Sequence, residues 1–179
     1  MLTYYASASA RQTPPRPPPG PPWAHPAALT RTPCRPTMAG MAVLRQQDID
    51  RARDAWRQWC EAADALVAAG DGRLTLRLTV NPDLPRTVWA MAVRYTLFLL
   101  ERRAPGEGVE VRVAPWGAIK ILEGPASDPH NLTPPDVIEL DPDVWLRLAA
   151  GITAWDEEKN AGRITAVGER DDLSELLPL

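Results

Sequence analysis

Proline draws the first boundary in this chain. Ten of its 20 prolines fall within residues 1–40, a stretch that also holds four arginines and no acidic residue. The run Pro14-Pro15-Arg16-Pro17-Pro18-Pro19-Gly20-Pro21-Pro22 lacks the backbone N–H groups that a helix or a sheet ladder requires, and it favours polyproline II. Residues 1–40 are therefore expected to form a disordered, Pro-rich tail. Three roles for it compete. Pro-x-x-Pro spacing suits a ligand for a partner domain; a targeting peptide fits less well, because no apolar stretch of about 7 to 15 residues follows the basic positions. The third role is translated upstream sequence ahead of a start at Met38 or Met41, where ordered sequence begins.

Charge divides the chain at the same place. The tail carries about +4, whereas residues 41–179 hold 16 basic and 23 acidic residues, about −7. An acidic body lacks the clustered positive charge that nucleic acid rewards. A body of this length can bury a single core, on the order of two thirds of its unfolded surface. With Cys34 in the tail and Cys60 in a helical stretch, a disulfide framework is excluded and a reducing, cytoplasmic compartment fits. No run of about 18 apolar residues is present to span a membrane. Arginine outnumbers lysine 18 to 2, the mark of a high-GC genome.

Periodicity places the elements. Ile49, Ala52, Trp56, Trp59, Ala63 and Leu66 recur at helical spacing over residues 48–69, and Gly70 and Gly72 end the run. Residues 73–80 alternate, with Leu74, Leu76, Leu78 and Val80 on one side, which predicts a half-buried strand. After Pro82 and Pro85 a helix is expected over 86–103. Its apolar residues, among them Val88, Trp89, Met91, Tyr95, Leu97 and Phe98, exceed a single stripe, so it is buried on more than one side, lines a cavity or meets another chain. Val109, Val111 and Val113 alternate with Glu110 and Arg112 in a strand with one wet face. Pro115 then turns the chain at an edge or bulge into a strand over 118–122.

A polar loop leads to a strand over 136–140. Asp141 is the expected N-cap of a short helix with Pro142 at its first position and Trp145, Leu148 and Ala149 on its buried stripe. Thr153 and Asp156 resemble a capping box for a brief further helix, a strand follows over 163–167, and residues 173–179 read as a last helix. The sum is about five strands and five or six helices without regular alternation. That predicts a single α+β domain with a mixed sheet over residues 41–179.

Catalytic chemistry is sparsely supplied. Beyond the tail there are one histidine, His130, one cysteine, Cys60, and two serines, Ser127 and Ser174. Ser127, Asp128 and His130 share a loop with no nucleophile elbow and read as solvated. Cys and His show no metal spacing, and the glycines form no phosphate-cradling loop. Asp141 with Asp143, Glu157 with Glu158, and Asp171 with Asp172 all stand at helix starts, where capping accounts for them. No catalytic residue, metal or cofactor is assigned.

The order and spacing of Val93-Arg94-Tyr95-Thr96-Leu97, the strand 109–116, the turn Glu123-Gly124-Pro125, Thr133-Pro134-Pro135 and the stretch 141–179 resemble the sterol carrier family. The likeness is to its short, single-domain actinobacterial type and covers residues 43–179. The resemblance implies helices covering one side of a curved sheet around an apolar tunnel, and a non-catalytic domain that binds a fatty acyl chain or another lipid. It also leaves a second role open, a ligand-free scaffold or accessory domain acting through protein contacts, one linked to mycothiol-dependent enzymes included. An apolar binder needs aliphatic and aromatic walls, for which the candidates are Trp89, Trp116, Ile119, Ile121, Trp145, Leu148, Leu176 and Leu177. The same eight residues equally suit a filled core.

One expectation follows from the tail alone. A chain starting at Met41 should unfold within a few degrees of the full-length chain, since residues 1–40 present no periodic apolar face for docking. Paired thermal melts check this, and a larger loss on truncation would show that the tail packs.

Overall fold

The computed structural model describes residues 44–70, 73–124 and 136–179. The readings made for residues 1–40 and for the loop carrying Ser127, Asp128 and His130 lie outside the described residues.

The architecture is α+β and is arranged around one helix, α3 (Arg86–Arg103), which buries Trp89, Met91, Ala92, Val93, Thr96, Leu97 and Leu100. Those positions cover more than half of its circumference, so it needs packing partners on more than one side. Helix α1 (Ile49–Ala69) supplies one, through Ala52, Ala55, Trp59 and Ala63. The small side chains at 52, 55 and 63 let the two helices approach closely. Leu66, expected on the same stripe, is instead exposed. On its other side α3 packs against strands β1 (Pro105–Val113) and β2 (Gly117–Ile121), with the short helix α4 (Pro142–Ala149) beside it.

Two further strands, β3 (Asp136–Leu140) and β4 (Ile164–Val167), complete a four-stranded sheet in the order β2-β1-β3-β4. β1 runs antiparallel to β2 and parallel to β3, and β4 is antiparallel to β3. Val111 stands between Ile119 and Ile138 in register, on the face that is buried. Because side chains alternate along a strand, Glu110, Arg112, Lys120 and Glu139 fall on the opposite, wet face. Lys120 is directly across from Glu110 there. The β1–β2 turn carries a cis Ala114–Pro115 peptide and ends in an edge strand, where a proline without an N–H breaks no ladder.

The fifth strand expected over residues 73–80 is not formed. The segment winds into a single helical turn, α2 (Leu74–Arg77), with the Leu78 N–H donating to the Leu74 carbonyl at 2.9 Å. Carbonyls that a strand would offer to a neighbour are instead taken by guanidinium groups: Arg163 donates to Leu78 O, and Arg147 Nη1 to Val80 O at 3.1 Å. Of the alternating apolar residues only Val80 is buried, while Leu74 and Leu76 are more than 40% exposed at 42% and 45%. Alternation over eight residues describes a strand only when another strand lies alongside.

That clasp leads to a charged cluster inside the fold. Arg147 and Glu158 are both fully buried, with Arg147 Nε 2.8 Å from Glu158 Oε1. Asp143 Oδ2 accepts from Arg147 Nη1 at 2.8 Å, and Thr153 Oγ1 donates to Glu158 Oε1 at 2.8 Å. Removing one partner from such a pair leaves a buried charge and costs about 3–5 kcal/mol. A second bidentate pair, Arg77 with Glu157, crosses the same junction and keeps the Glu157 carboxyl below its ordinary range. Glu157 also accepts from the Ala154 N–H at 2.8 Å, so Ala154 rather than Thr153 opens α5 (Trp155–Asn160). Thr153 is drawn away by Glu158.

At the far end of the sheet, Asp136 Oδ2 accepts from Arg170 Nε at 2.8 Å and Oδ1 from the Glu169 N–H at 2.8 Å. Burial opposes ionisation of this carboxyl, but these hydrogen bonds outweigh it and hold the carboxyl below its ordinary range. Gly168, at φ +115, passes so close that an added Cβ would lie 1.9 Å from Asp136 Oδ1. Beyond it the chain forms one 3-10 turn, Ser174–Leu176, where a last helix was expected. The Leu179 N–H donates to Ala149 O at 3.0 Å, and Arg103 Nη1 to Leu176 O and Pro178 O at 3.1 and 2.7 Å. The C-terminal residues are thus held on α3 and α4 by backbone contacts that no helical period encodes.

Trp145 occupies the centre, fully buried, with its indole Nε1 donating to Thr96 Oγ1 at 2.8 Å. The same hydroxyl donates to the carbonyls of Ala92 and Val93, both at 3.0 Å. Thr96→Val keeps the shape and orphans the indole N–H, so it should destabilise by about 1–3 kcal/mol. Denaturant melts of the variant measure this. A change below about 0.5 kcal/mol would show that the hydrogen bond contributes little to holding α4 against α3.

Candidate functional site

Four tryptophans form a row through the helical side of the molecule. Trp56 and Trp59, three residues apart on α1, stack with centroids 5.6 Å apart; Trp59 meets Trp89 of α3 edge-on at 5.7 Å; and Trp89 stacks on Trp116 at 6.2 Å with 26° between the planes. Offset-stacked and edge-to-face contacts of this kind add about 0.5–1.5 kcal/mol per pair beyond area burial. Trp59 and Trp89 are buried, whereas Trp56 and Trp116 at the two ends are only half-buried. Among the described residues, the buried indole N–H groups of Trp59 and Trp155 have no hydrogen-bond partner.

The eight proposed wall residues come together in this part of the core. Trp89, Ile119, Ile121, Trp145 and Leu148 are buried in one contiguous apolar cluster, and Trp116, Leu176 and Leu177 pack on it half-buried. Of the eight, Trp116 alone borders the surface depression of about 370 Å³ beside it. Arg86, Thr87, Ala90 and Arg94 from the first turns of α3 form one bank, and Pro115 with Trp116 the other. Arg94 reaches across and donates from Nε to the Trp116 carbonyl at 3.2 Å, which pins the β1–β2 turn to the helix.

Arg86 and Arg94 are the site residues that sequence reasoning passed over. Arg86 makes no hydrogen bond or ion pair with any described residue. It stands in the first turn of α3, where no acidic residue and no side-chain cap are found. A cation there opposes the helix dipole by about 0.3–1 kcal/mol. That mismatch, a basic residue directly after the helix-opening Pro85, was the available signal.

Nucleophilic chemistry finds no support nearby. Cys60 is half-buried on α1, and burial, with the neighbouring Asp64 and Glu61, pushes its thiol up to about 11. Among the described residues no cluster of His, Cys, Asp and Glu is arranged to hold a metal ion, and no helix is long and apolar enough to cross a membrane.

With this geometry in place, residues 85–179 match a family model described as a bacterial SCP ortholog. The match opens at the start of α3 and takes in the sheet, α4, α5 and the C-terminal residues; α1 and α2 lie outside it, so it is shorter than the 43–179 span of the sequence resemblance. Among curated proteins none matches the chain.

The Cys60 environment is open to direct titration in a Cys34→Ser background. With a thiol near 11, the thiolate fraction at pH 8 is about one in a thousand, against roughly a quarter for an unperturbed cysteine. Reaction with a disulfide reagent should be correspondingly slow at pH 8 and accelerate as pH rises toward 11. A rate at pH 8 equal to that of free cysteine would overturn the assignment of an unreactive, half-buried thiol.

Proposed function

The chain belongs to the bacterial sterol carrier family, and from that membership we propose that it binds a small apolar ligand, a fatty acyl chain or another lipid, without catalysing a reaction. The observation that carries this reading is the half-exposed ring of Trp116, stacked on buried Trp89 beside an open depression of about 370 Å³. A depression of that size falls within the range of small-molecule sites, about 300–1,000 Å³. Behind Trp89 and Trp116 the apolar core continues through Ile119, Ile121, Trp145 and Leu148, and Leu176 and Leu177 pack on the same cluster. A ligand in the depression meets Trp116, Pro115 and Ala90 on its apolar side and Arg86, Thr87 and Arg94 on its polar side. Burying about 300 Å² of it at about 25 cal/mol per Å² yields roughly 7 kcal/mol before the costs of association, so micromolar affinity is the expected ceiling.

A second reading draws on a different observation. Ile121 and Trp145 are fully buried and Leu148 is 1% exposed, so the places these side chains occupy are already filled. A filled interior suits a scaffold that acts through protein contacts.

Titration of the purified chain with a long-chain fatty acid separates the two. Under the binding reading tryptophan emission changes saturably, and Trp116→Ala removes most of that change while leaving the thermal midpoint within a few degrees. Native mass spectrometry of the protein as purified should then also show a bound apolar molecule. If neither fluorescence nor calorimetry responds to several lipid classes up to about 100 micromolar, roughly 5.5 kcal/mol on the affinity scale, the scaffold reading replaces it.

A further inference from the structure

We infer that the depression beside Trp116 takes a small planar acid: a flat apolar ring that lies against the indole and carries a carboxylate held by Arg86 and Arg94. This rests on the binding reading above and narrows it to a chemical class.

Residues 41–179 are acidic, with 16 basic and 23 acidic residues, yet the six residues that line this depression include two arginines and no carboxylate; Asp48 and Arg51 line the adjoining depression beyond Arg94. Most described arginines are spoken for: Arg77, Arg147 and Arg170, for example, each hold a carboxylate and a backbone carbonyl. Among the described residues Arg86 pairs with neither, and Arg94 is engaged only through Nε, to Trp116 O. The two side chains thus keep several N–H donors available along the α3 bank of a small hollow. A guanidinium presents paired, coplanar N–H groups that match the two oxygens of a carboxylate.

The hollow is open to solvent, so among the apolar ligands proposed above a flexible acyl chain gains least here, since part of its length stays wet while it loses conformational freedom. A rigid ring loses little on binding and covers its whole face against Trp116, Ala90 and Pro115. Trp116 is itself backed by Trp89 at 6.2 Å and tied to Arg94 through its carbonyl. The platform is therefore in place before the ligand arrives.

The test uses the full chain and three probes followed by ligand-observed NMR: 2-naphthoate, its neutral counterpart 2-naphthalenemethanol, and hexanoate, which has the carboxylate without the ring. 2-Naphthoate should bind about tenfold more tightly than either of the others, the size expected for one charge-assisted pair. That advantage should shrink as salt is raised from about 0.05 to 0.5 M. Arg86→Gln should bring 2-naphthoate to within about twofold of the alcohol, with a thermal midpoint that is not lowered, because the side chain is exposed and its charge opposes the helix dipole; Arg94→Gln provides the second case. Equal binding of the acid and the alcohol, or an advantage that survives Arg86→Gln, overturns the inference while leaving apolar binding at Trp116 standing. If none of the three probes binds and the fatty acid titration is silent as well, the binding reading itself has failed.

Discussion

Helix α1, strands β1 and β2 and helix α4 are all packed on a helix that cannot be satisfied on one side. Helix α3 buries residues over more than half of its circumference, so a single sheet or a single helix would leave apolar surface in water. Its two coverings are of different kinds. Against α1 the contact is made largely by alanines and a tryptophan, and against the sheet by the valines and isoleucines of β1 and β2. The Thr96 hydroxyl, between these layers, satisfies the indole of Trp145 and so positions α4 as well. The tryptophan row and the hollow at Trp116 are consequences of the same arrangement, since both lie where α3 meets α1 and the β1–β2 turn.

The remaining junctions are held by arginine. Arg77, Arg147 and Arg163 bind backbone carbonyls at Ile152, Val80 and Leu78, and Arg170 binds those of Glu123 and Gly108 while paired with Asp136. A guanidinium can serve a carboxylate and a carbonyl at once, which lysine does less well. The wholly buried Arg147–Glu158 pair is the costliest of these to break, because either group alone would remain charged and dry. Replacing both with apolar residues would carry no such penalty, so the pair specifies where α5 and the 74–80 segment dock more than it adds net stability.

The proposed function rests on what this packing leaves over. Most of the side chains that could have walled a tunnel are instead in mutual contact, and the half-buried ring of Trp116 borders an open depression at one end of the tryptophan row. At the same place Arg86 has no partner among the described residues. The proposed binding at an edge of the core, with the interior kept filled, is compatible with both the family membership and this packing.

Local physics wrote much of this into the residues. The helices at 49–69 and 86–103, the one-sided alternation of Val109, Val111 and Val113, and the Asp141-Pro142 helix start all lie within a residue or two of where periodicity and capping place them, because each depends on neighbours a few positions away. The two-sided burial of α3 was legible from its apolar breadth; of the eight wall candidates, five lie in one buried cluster and three pack on it half-buried. What only the tertiary structure decided depends on partners distant in sequence. Residues 73–80 alternate like a strand, yet arginines 67 and 85 positions away take their carbonyls. Thr153 could cap a helix, but Glu158 claims its hydroxyl. The sequence holds 23 acidic residues, and only the fold shows that none of the described ones pairs with Arg86 beside Trp116. Alternation, capping and charge are properties of a segment, while a hydrogen-bond partner is a property of the whole chain in space.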